Sequence, residues 1–245
     1  TDKEDPLDIQ KSLTFQIEDE NWTNKVLVGA VISAVPILSL AATGYGLDVV
    51  KNVVADEARP LPSWDNLGNQ FVRGLVYVVG VLIYFLPLFI IGCLFAVVGG
   101  GLGAAMGDSQ SAQDSFGALL GGGGILFVCL TLFYSLAVLV ILPAATVRFA
   151  LTNQLSEMFK FKELFADIRR NVSGYLTAIL VVVVVGIVLG IVVSVVSGIL
   201  ALIPICGWIA AWIISAAASF YVQLVASHMW GQFHRDARAA GTVTL

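Results

Sequence analysis

Residues 22–74 read WTNKVLVGAVISAVPILSLAATGYGLDVVKNVVADEARPLPSWDNLGNQFVRG, and the fold turns on this stretch. The run at 25–35 covers eleven residues before Pro36, roughly 16 Å at helical rise and too short to cross a bilayer. Proline lacks a backbone donor and its ring clashes with the preceding turn, so a kink or break is expected at Pro36. The next apolar stretch, 37–47, meets Asp48 and Lys51. The segment therefore crosses once, as a fifth span, or folds back as a re-entrant hairpin over 22–56. That choice sets the side on which every later loop lies.

Composition makes crossing the question. The chain has 245 residues, of which 58% are hydrophobic and only 12% charged, with a mean hydropathy of +0.90. A soluble domain carries about a quarter charged residues. Several runs reach the roughly 20 apolar residues that a spanning helix needs. The expected fold is all-α, a polytopic integral membrane bundle of four long spanning helices plus the Pro36 hairpin and interfacial amphipathic helices. A β-barrel would show short alternating segments in place of the continuous run at 179–193.

Charge placement favours the hairpin. The net charge is -4, and the acidic excess lies in the N-tail, 1–21, with Asp2, Glu4, Asp5, Asp8, Glu18, Asp19 and Glu20. That tail repels nucleic acid. The thirteen Lys and Arg fall at 3–25, 51–73, 148–170 and 235–238. A hairpin puts all thirteen on one side, whereas a single crossing splits them ten and three, so the positive-inside rule prefers the hairpin. The expected location is a prokaryotic inner (cell) membrane, multi-pass, with both termini cytoplasmic. The N-terminus shows no basic region followed by an apolar core and a cleavage site, so no signal peptide is expected.

Along the chain, the alternation Leu13, Phe15, Ile17 in the N-tail resembles a strand more than a helix. Trp22, Trp64 and Trp230 read as interface anchors. Ser63 caps a short interfacial helix at 63–73, with Trp64, Leu67 and Phe71 on one face. Spans are expected at about 74–98, 119–148, 174–203 and 207–230, within one membrane domain, 22–230, followed by a C-tail, 231–245. Gly121 to Gly124 open the second span, as a frayed end or a close packing point. An amphipathic helix at 152–170 gathers Leu155, Met158, Phe159, Leu164, Phe165 and Ile168 on one face and Glu157, Lys160, Glu163, Asp167 and Arg170 on the other.

The clearest packing signal is a ribbon of small residues, Gly186, Gly190, Ser194 and Gly198, every fourth position of the third span. The short turn at Pro204 makes the last helix its antiparallel neighbour, and that Ala-rich helix is the expected contact. Another membrane subunit is the alternative. The sequence around Pro204 also echoes that around Pro36: Gly29 precedes Pro36-Ile37 much as Gly198 precedes Pro204-Ile205.

Catalytic chemistry is missing from the pattern. The linker at 99–118 is glycine-rich but carries Asp108 and Asp114 and no Lys, so no nucleotide loop is expected. Cys93, Cys129 and Cys206 lack metal spacing and read as buried small hydrophobes. No charged residue sits deep in a span, which argues against a pump. Ser135, Ser194, Ser215 and Ser219 have no His or carboxylate at their depth and read as interhelical hydrogen-bonders. His228 and His234, six apart, do not share a face; His228 alone is a candidate axial ligand to a pigment, against the plainer reading of a hydrated interfacial histidine. No metal, cofactor or catalytic residue is expected.

The run W-x6-G-x6-P-I, then G-Y-G-L, L-P-S-W-D-N and F-V-R-G resembles the prokaryotic membrane-protein family known as domain of unknown function 4013. The positions are Trp22, Gly29, Pro36, Gly44, Tyr45, Leu61, Pro62, Trp64, Asp65, Phe71 and Gly74, with YVQLVASHMWGQFHR near the C-terminus. The resemblance covers most of the chain and implies a helical inner-membrane fold, with no activity attached. The expected function is a non-catalytic accessory or scaffolding subunit, in contact with lipid and with other integral membrane subunits. The alternative is a small-solute or lipid transporter or scramblase working through the broken helix at Pro36.

Overall fold

The computed structural model describes residues 7–105 and 110–239, with side chains over 7–97 and 123–237. Asp2, Glu4, Asp5 and Asp108, and the surroundings of Asp114, Gly121 and Gly122, lie outside the described residues. Every described element is helical: α1 Ile9–Thr14, a 3-10 turn Phe15–Glu18, α2 Trp22–Ala34, α3 Ser39–Val54, α4 Leu67–Ala105, α5 Gln110–Thr152, a second 3-10 turn Leu155–Phe159, α6 Phe161–Arg170, α7 Val172–Leu200 and α8 Cys206–Ala239. Within these, Leu67–Val97, Gly123–Thr152, Val172–Leu200 and Cys206–Ala237 are long and apolar enough to cross a membrane. Their outward side chains are large and apolar, among them Phe89, Phe133, Ile187 and Val195, as contact with lipid requires.

Several sequence expectations change. The N-tail is helical: Asp8 caps α1 by accepting from the Lys11 N–H at 2.8 Å, and a local cap outweighs a three-residue alternation. No separate helix forms at 63–73, because α4 runs unbroken from Leu67 through the first span. The helix expected at 152–170 is divided at Lys160. The C-tail is helical through Ala239, as a continuation of α8. All three cysteines are exposed; in lipid a small thiol is as well placed outside the bundle as inside.

Pro36 does break the chain. Val35 is extended, and Ser39 Oγ donates to the Pro36 carbonyl at 2.6 Å to start α3. α2 and α3 lie side by side and both pack on α8. Around them closes the main core, formed by Phe15, Ile32, Ala42, Tyr45, Val49, Phe220 and Leu224. Tyr45 stacks on Trp64, with ring centroids 4.1 Å apart, and donates its hydroxyl to the Pro62 carbonyl at 3.0 Å.

The chain divides into two compact units, 1–78 with 143–245, and 79–142. In the second, an antiparallel helix pair is tied by Tyr134, whose hydroxyl donates to the Tyr84 carbonyl at 2.6 Å, and by stacked Phe95 and Phe127. In the first, α3 and α4 cross with their backbones touching. A Cβ on Gly44 would fall on the Gln70 carbonyl, and one on Gly74 on the Leu40 carbonyl. Neither obstruction is a movable side chain.

Arg148, at the end of α5, is a buried charge held by three carboxylates. It donates to Glu157 at 2.9 Å and Asp167 at 2.9 Å, and it pairs with Glu163. Glu157 and Asp167, read from the sequence as part of an outward polar face, therefore point inward; a buried guanidinium must find counter-charges, and α6 is turned to supply them. Met158, Leu164 and Ile168 accompany them into the interior, whereas Phe161 and Phe165 stay outside. Hydrogen bonds from Lys160 and Arg148, opposed by burial, hold the Glu157 carboxyl below its usual range.

Two outcomes are expected. Gly44→Leu should cost upwards of about 3 kcal/mol by overpacking a backbone contact, while Gly68→Ala, whose Cβ would meet nothing within 4 Å, should leave detergent melting unchanged or slightly raised. Because the folded-state pKa of Glu157 is depressed, its contribution is full above the ordinary glutamate pKa and is lost as pH falls through the folded value. Melting temperature should thus drop more steeply between about pH 5 and pH 3 for the wild type than for Glu157→Gln; parallel slopes would show that this carboxylate is not coupled to folding.

Candidate functional site

α7 and α8 form the expected antiparallel pair across the turn at Pro204, where Gly207 lies against the Leu200 carbonyl. The ribbon, however, is not their seam. On α7 the buried or half-buried positions Tyr175, Ala178, Val182, Val185, Leu189, Val193, Val196 and Leu200 recur at spacings of three and four, the rhythm of a left-handed helix pair. A strict four-residue stripe drifts around the helix away from such a seam. Gly190, Ser194 and Gly198 are exposed, Gly186 is half-buried, and a Cβ on any of these glycines would meet nothing within 4 Å. Among the described residues of its own unit the ribbon is thus uncovered, and the contact expected with α8 is made by larger neighbours.

The break at Pro36 leaves the last carbonyls of α2 without helical partners. Trp212 of α8 meets one of them, its Nε1 donating to the Ala34 carbonyl at 2.7 Å. Beside this contact lies a pocket of about 280 Å³ between the α2–α3 turn and α8, where Ser33, Thr43, Ser215, Ser219 and Gln223 present polar groups. Several are spent locally: Ser215 donates to the Ala211 carbonyl at 2.7 Å, and Gln223 to the Ala42 carbonyl at 2.7 Å. Ser33 Oγ is buried without a partner. The sequence placed Ser215, Ser219 and Gln223 on one helix, but nothing in it brought Ser33 and Thr43 to them, since that depends on how α2 and α3 seat on α8.

The tryptophans divide. Trp22 remains about a third exposed, at 36%. Trp64 and Trp230, read from the sequence as interface anchors, are turned into the protein. Trp64 Nε1 donates to the Lys25 carbonyl at 2.9 Å, and its ring lies against Tyr45 and Phe220. Trp230, at 8% exposure, packs near Tyr175. A tryptophan whose N–H finds a protein carbonyl has no need of the headgroup layer.

His228 is equally committed, and sequence reasoning missed its partners. It is 2% exposed, its ring stacks on Phe15 at 4.3 Å, and its Nδ1 lies 2.9 Å from Ser12 Oγ and 3.2 Å from Gln232 Nε2. Gln232 also accepts from the Asp8 N–H at 3.1 Å, and Tyr221 donates to the Leu13 carbonyl at 2.9 Å. The N-terminal segment is thereby fastened along α8. Next to it, Lys25 bridges Asp19 at 2.7 Å and the Leu61 carbonyl at 2.9 Å.

Four helices of spanning length, with outward apolar side chains, define an α-helical membrane protein in contact with lipid. Residues 27–198 match the family described as Protein of unknown function (DUF4013), and the chain belongs to that family. The matched region includes Pro36, the Gly44–Gly74 crossing and the ribbon, and stops short of α8. No curated protein and no solved structure matches the chain.

Phe15→Ala should lower stability by about 3–5 kcal/mol and should release the N-terminal segment, read as faster tryptic cleavage after Lys11. Equal cleavage of wild type and variant would mean that the segment is not held by this ring.

Proposed function

We propose that the chain is a non-catalytic integral membrane subunit that scaffolds a larger assembly, receiving a helix of another subunit on the ribbon of Gly186, Gly190, Ser194 and Gly198. The observation carrying this reading is that, within the unit 1–78 with 143–245, the described residues leave the small-residue stripe uncovered: a Cβ at each of the three glycines would meet nothing within 4 Å. Small residues let two backbones approach closely in lipid, where packing replaces the hydrophobic effect as the driving force.

The proposed setting is a prokaryotic inner membrane with both termini cytoplasmic. The fastening of α1 to α8 supports a shared side. α2 and α3 have 13 and 16 residues, roughly 20 and 24 Å of helix against about 30 Å of hydrocarbon. Neither crosses alone, which supports a re-entrant hairpin in place of a fifth span.

A second reading, transport or scrambling of a small solute or lipid, is favoured by the polar pocket beside the Pro36 break, since interrupted helices commonly line substrate sites.

Gentle-detergent purification from native membranes separates the two. The wild type should arrive with a stoichiometric membrane partner, and Gly190→Leu should arrive without it at an unchanged melting temperature, because that position is open. If the wild type arrives alone, the scaffold reading fails, and uptake or scrambling by the purified protein in liposomes tests the second.

A further inference from the structure

A second polar cavity lies elsewhere, where the C-terminal turn of α3, the loop before α4, the first turns of α4 and the residue after α5 meet. It measures about 420 Å³, within the range of small-ligand sites. Asp48 and Lys51 come from α3, Asn66, Asn69 and Arg73 from the start of α4 and its lead-in, and Asn153 follows α5. The Gly44–Gly74 crossing sets these walls, because it fixes α3 against α4 one turn away.

Its charges are not balanced. Arg73 pairs with Asp48, donates from Nε to Asn153 Oδ1 at 2.6 Å, and reaches the Ala150 carbonyl at 3.2 Å. Asp48 is occupied on both oxygens, by Arg73 on one and by Gln70 Nε2 at 3.4 Å on the other. Lys51, on the rim, has no acidic partner among the described residues, so one positive charge is left over. A guanidinium has five donors, and Arg73 uses three on the protein. Asn66 and Asn69 add neutral amides, and the free N–H groups that open α4 favour an anion.

Gln70 closes one wall. It is 2% exposed and borders the cavity, its Nε2 bonds Asp48 and the Ser63 carbonyl, and its Oε1 has no partner. Both Nε2 partners are acceptors, which fixes the orientation of the amide. The remaining amide oxygen is buried without a hydrogen-bond partner.

From this geometry we infer that the cavity binds a phosphate ester, with Lys51 and the unused Arg73 donors on the phosphate oxygens and the Asn66 and Asn69 amides beside them. The inference does not rest on the scaffold reading; it uses a different face and different residues. A glycerophospholipid headgroup and a free polyol phosphate offer the same chemistry. The cavity sits where α4 begins and α5 ends, at the termini of two spanning helices, which is the depth of lipid phosphates.

The test uses the full chain in nanodiscs and in detergent, with Lys51→Gln and Asn69→Asp as variants. Both positions are exposed, and Gly124→Ala, remote from the cavity and with nothing within 4 Å of its Cβ, serves as the fold control. Native mass spectrometry should show phosphatidylglycerol retained by the wild type over phosphatidylcholine, with retention falling about tenfold in Lys51→Gln, as loss of one phosphate contact implies. Glycerol 3-phosphate, titrated in detergent with melting temperature as readout, gives the other arm. A Lys51-dependent response to the lipid alone assigns a headgroup; a Lys51-dependent response to glycerol 3-phosphate assigns a soluble ester. Equal behaviour of wild type and both variants with either probe, or no response to either, would overturn the proposal.

Discussion

The contact on which the rest depends is the crossing of α3 and α4, where Gly44 and Gly74 bring two backbones together with no side chain between them. Any larger residue would push the helices apart. The separation lost there is gained on either side: Tyr45 reaches Trp64 and Pro62 on one flank, and Asp48 reaches Arg73 on the other. Through Arg73 the same crossing is tied to Asn153 and the end of α5. A short helix that could not persist alone in lipid is thus held by geometry as much as by burial.

Polarity is arranged in keeping with that geometry. The spans turn Leu, Ile, Val and Phe outward, where in water they would face inward. The charged interactions gather near helix ends, in the sets centred on Arg73, Arg148 and Lys25. Each has at least one backbone carbonyl or second carboxylate in addition to its main partner, so none is a lone ion pair whose desolvation goes unanswered. Isolated deep charge is avoided; clustered charge near the boundary joins helices that lipid alone would not order.

Much of this was legible in the sequence. Long apolar runs gave the four spans, Pro36 gave the break, and the Pro204 turn gave the α7–α8 pair, because each is a local property of length or backbone chemistry. What local reasoning could not supply was partnership. Trp64 and Trp230 looked like anchors because tryptophan favours interfaces, yet Trp64 is claimed by Lys25 and Tyr45 from elements far off in the chain. Glu157 and Asp167 looked solvated until Arg148 was found buried between them. The ribbon was legible as a stripe, but its rotation relative to α8 depends on the three-and-four spacing of the larger residues beside it. The cavity at Lys51 and Arg73 had no sequence signature at all, being assembled from three separate segments.

The fastening of α1, α2 and α3 to α8 has a consequence for how the protein is made. Ser12 and His228 are separated by 216 positions, yet they share a hydrogen bond. When the early segments leave the ribosome, the surface that will receive them has not been synthesised, and α2 and α3, at 13 and 16 residues, are each shorter than the roughly 20 residues of a spanning helix. Their packing on α8 can be completed only once α8 has been made. Closure of the N-terminal segment over α8 is therefore among the last contacts that the growing chain can make. A chain stalled before α8 would keep its hairpin exposed, as a ready mark for quality-control proteolysis.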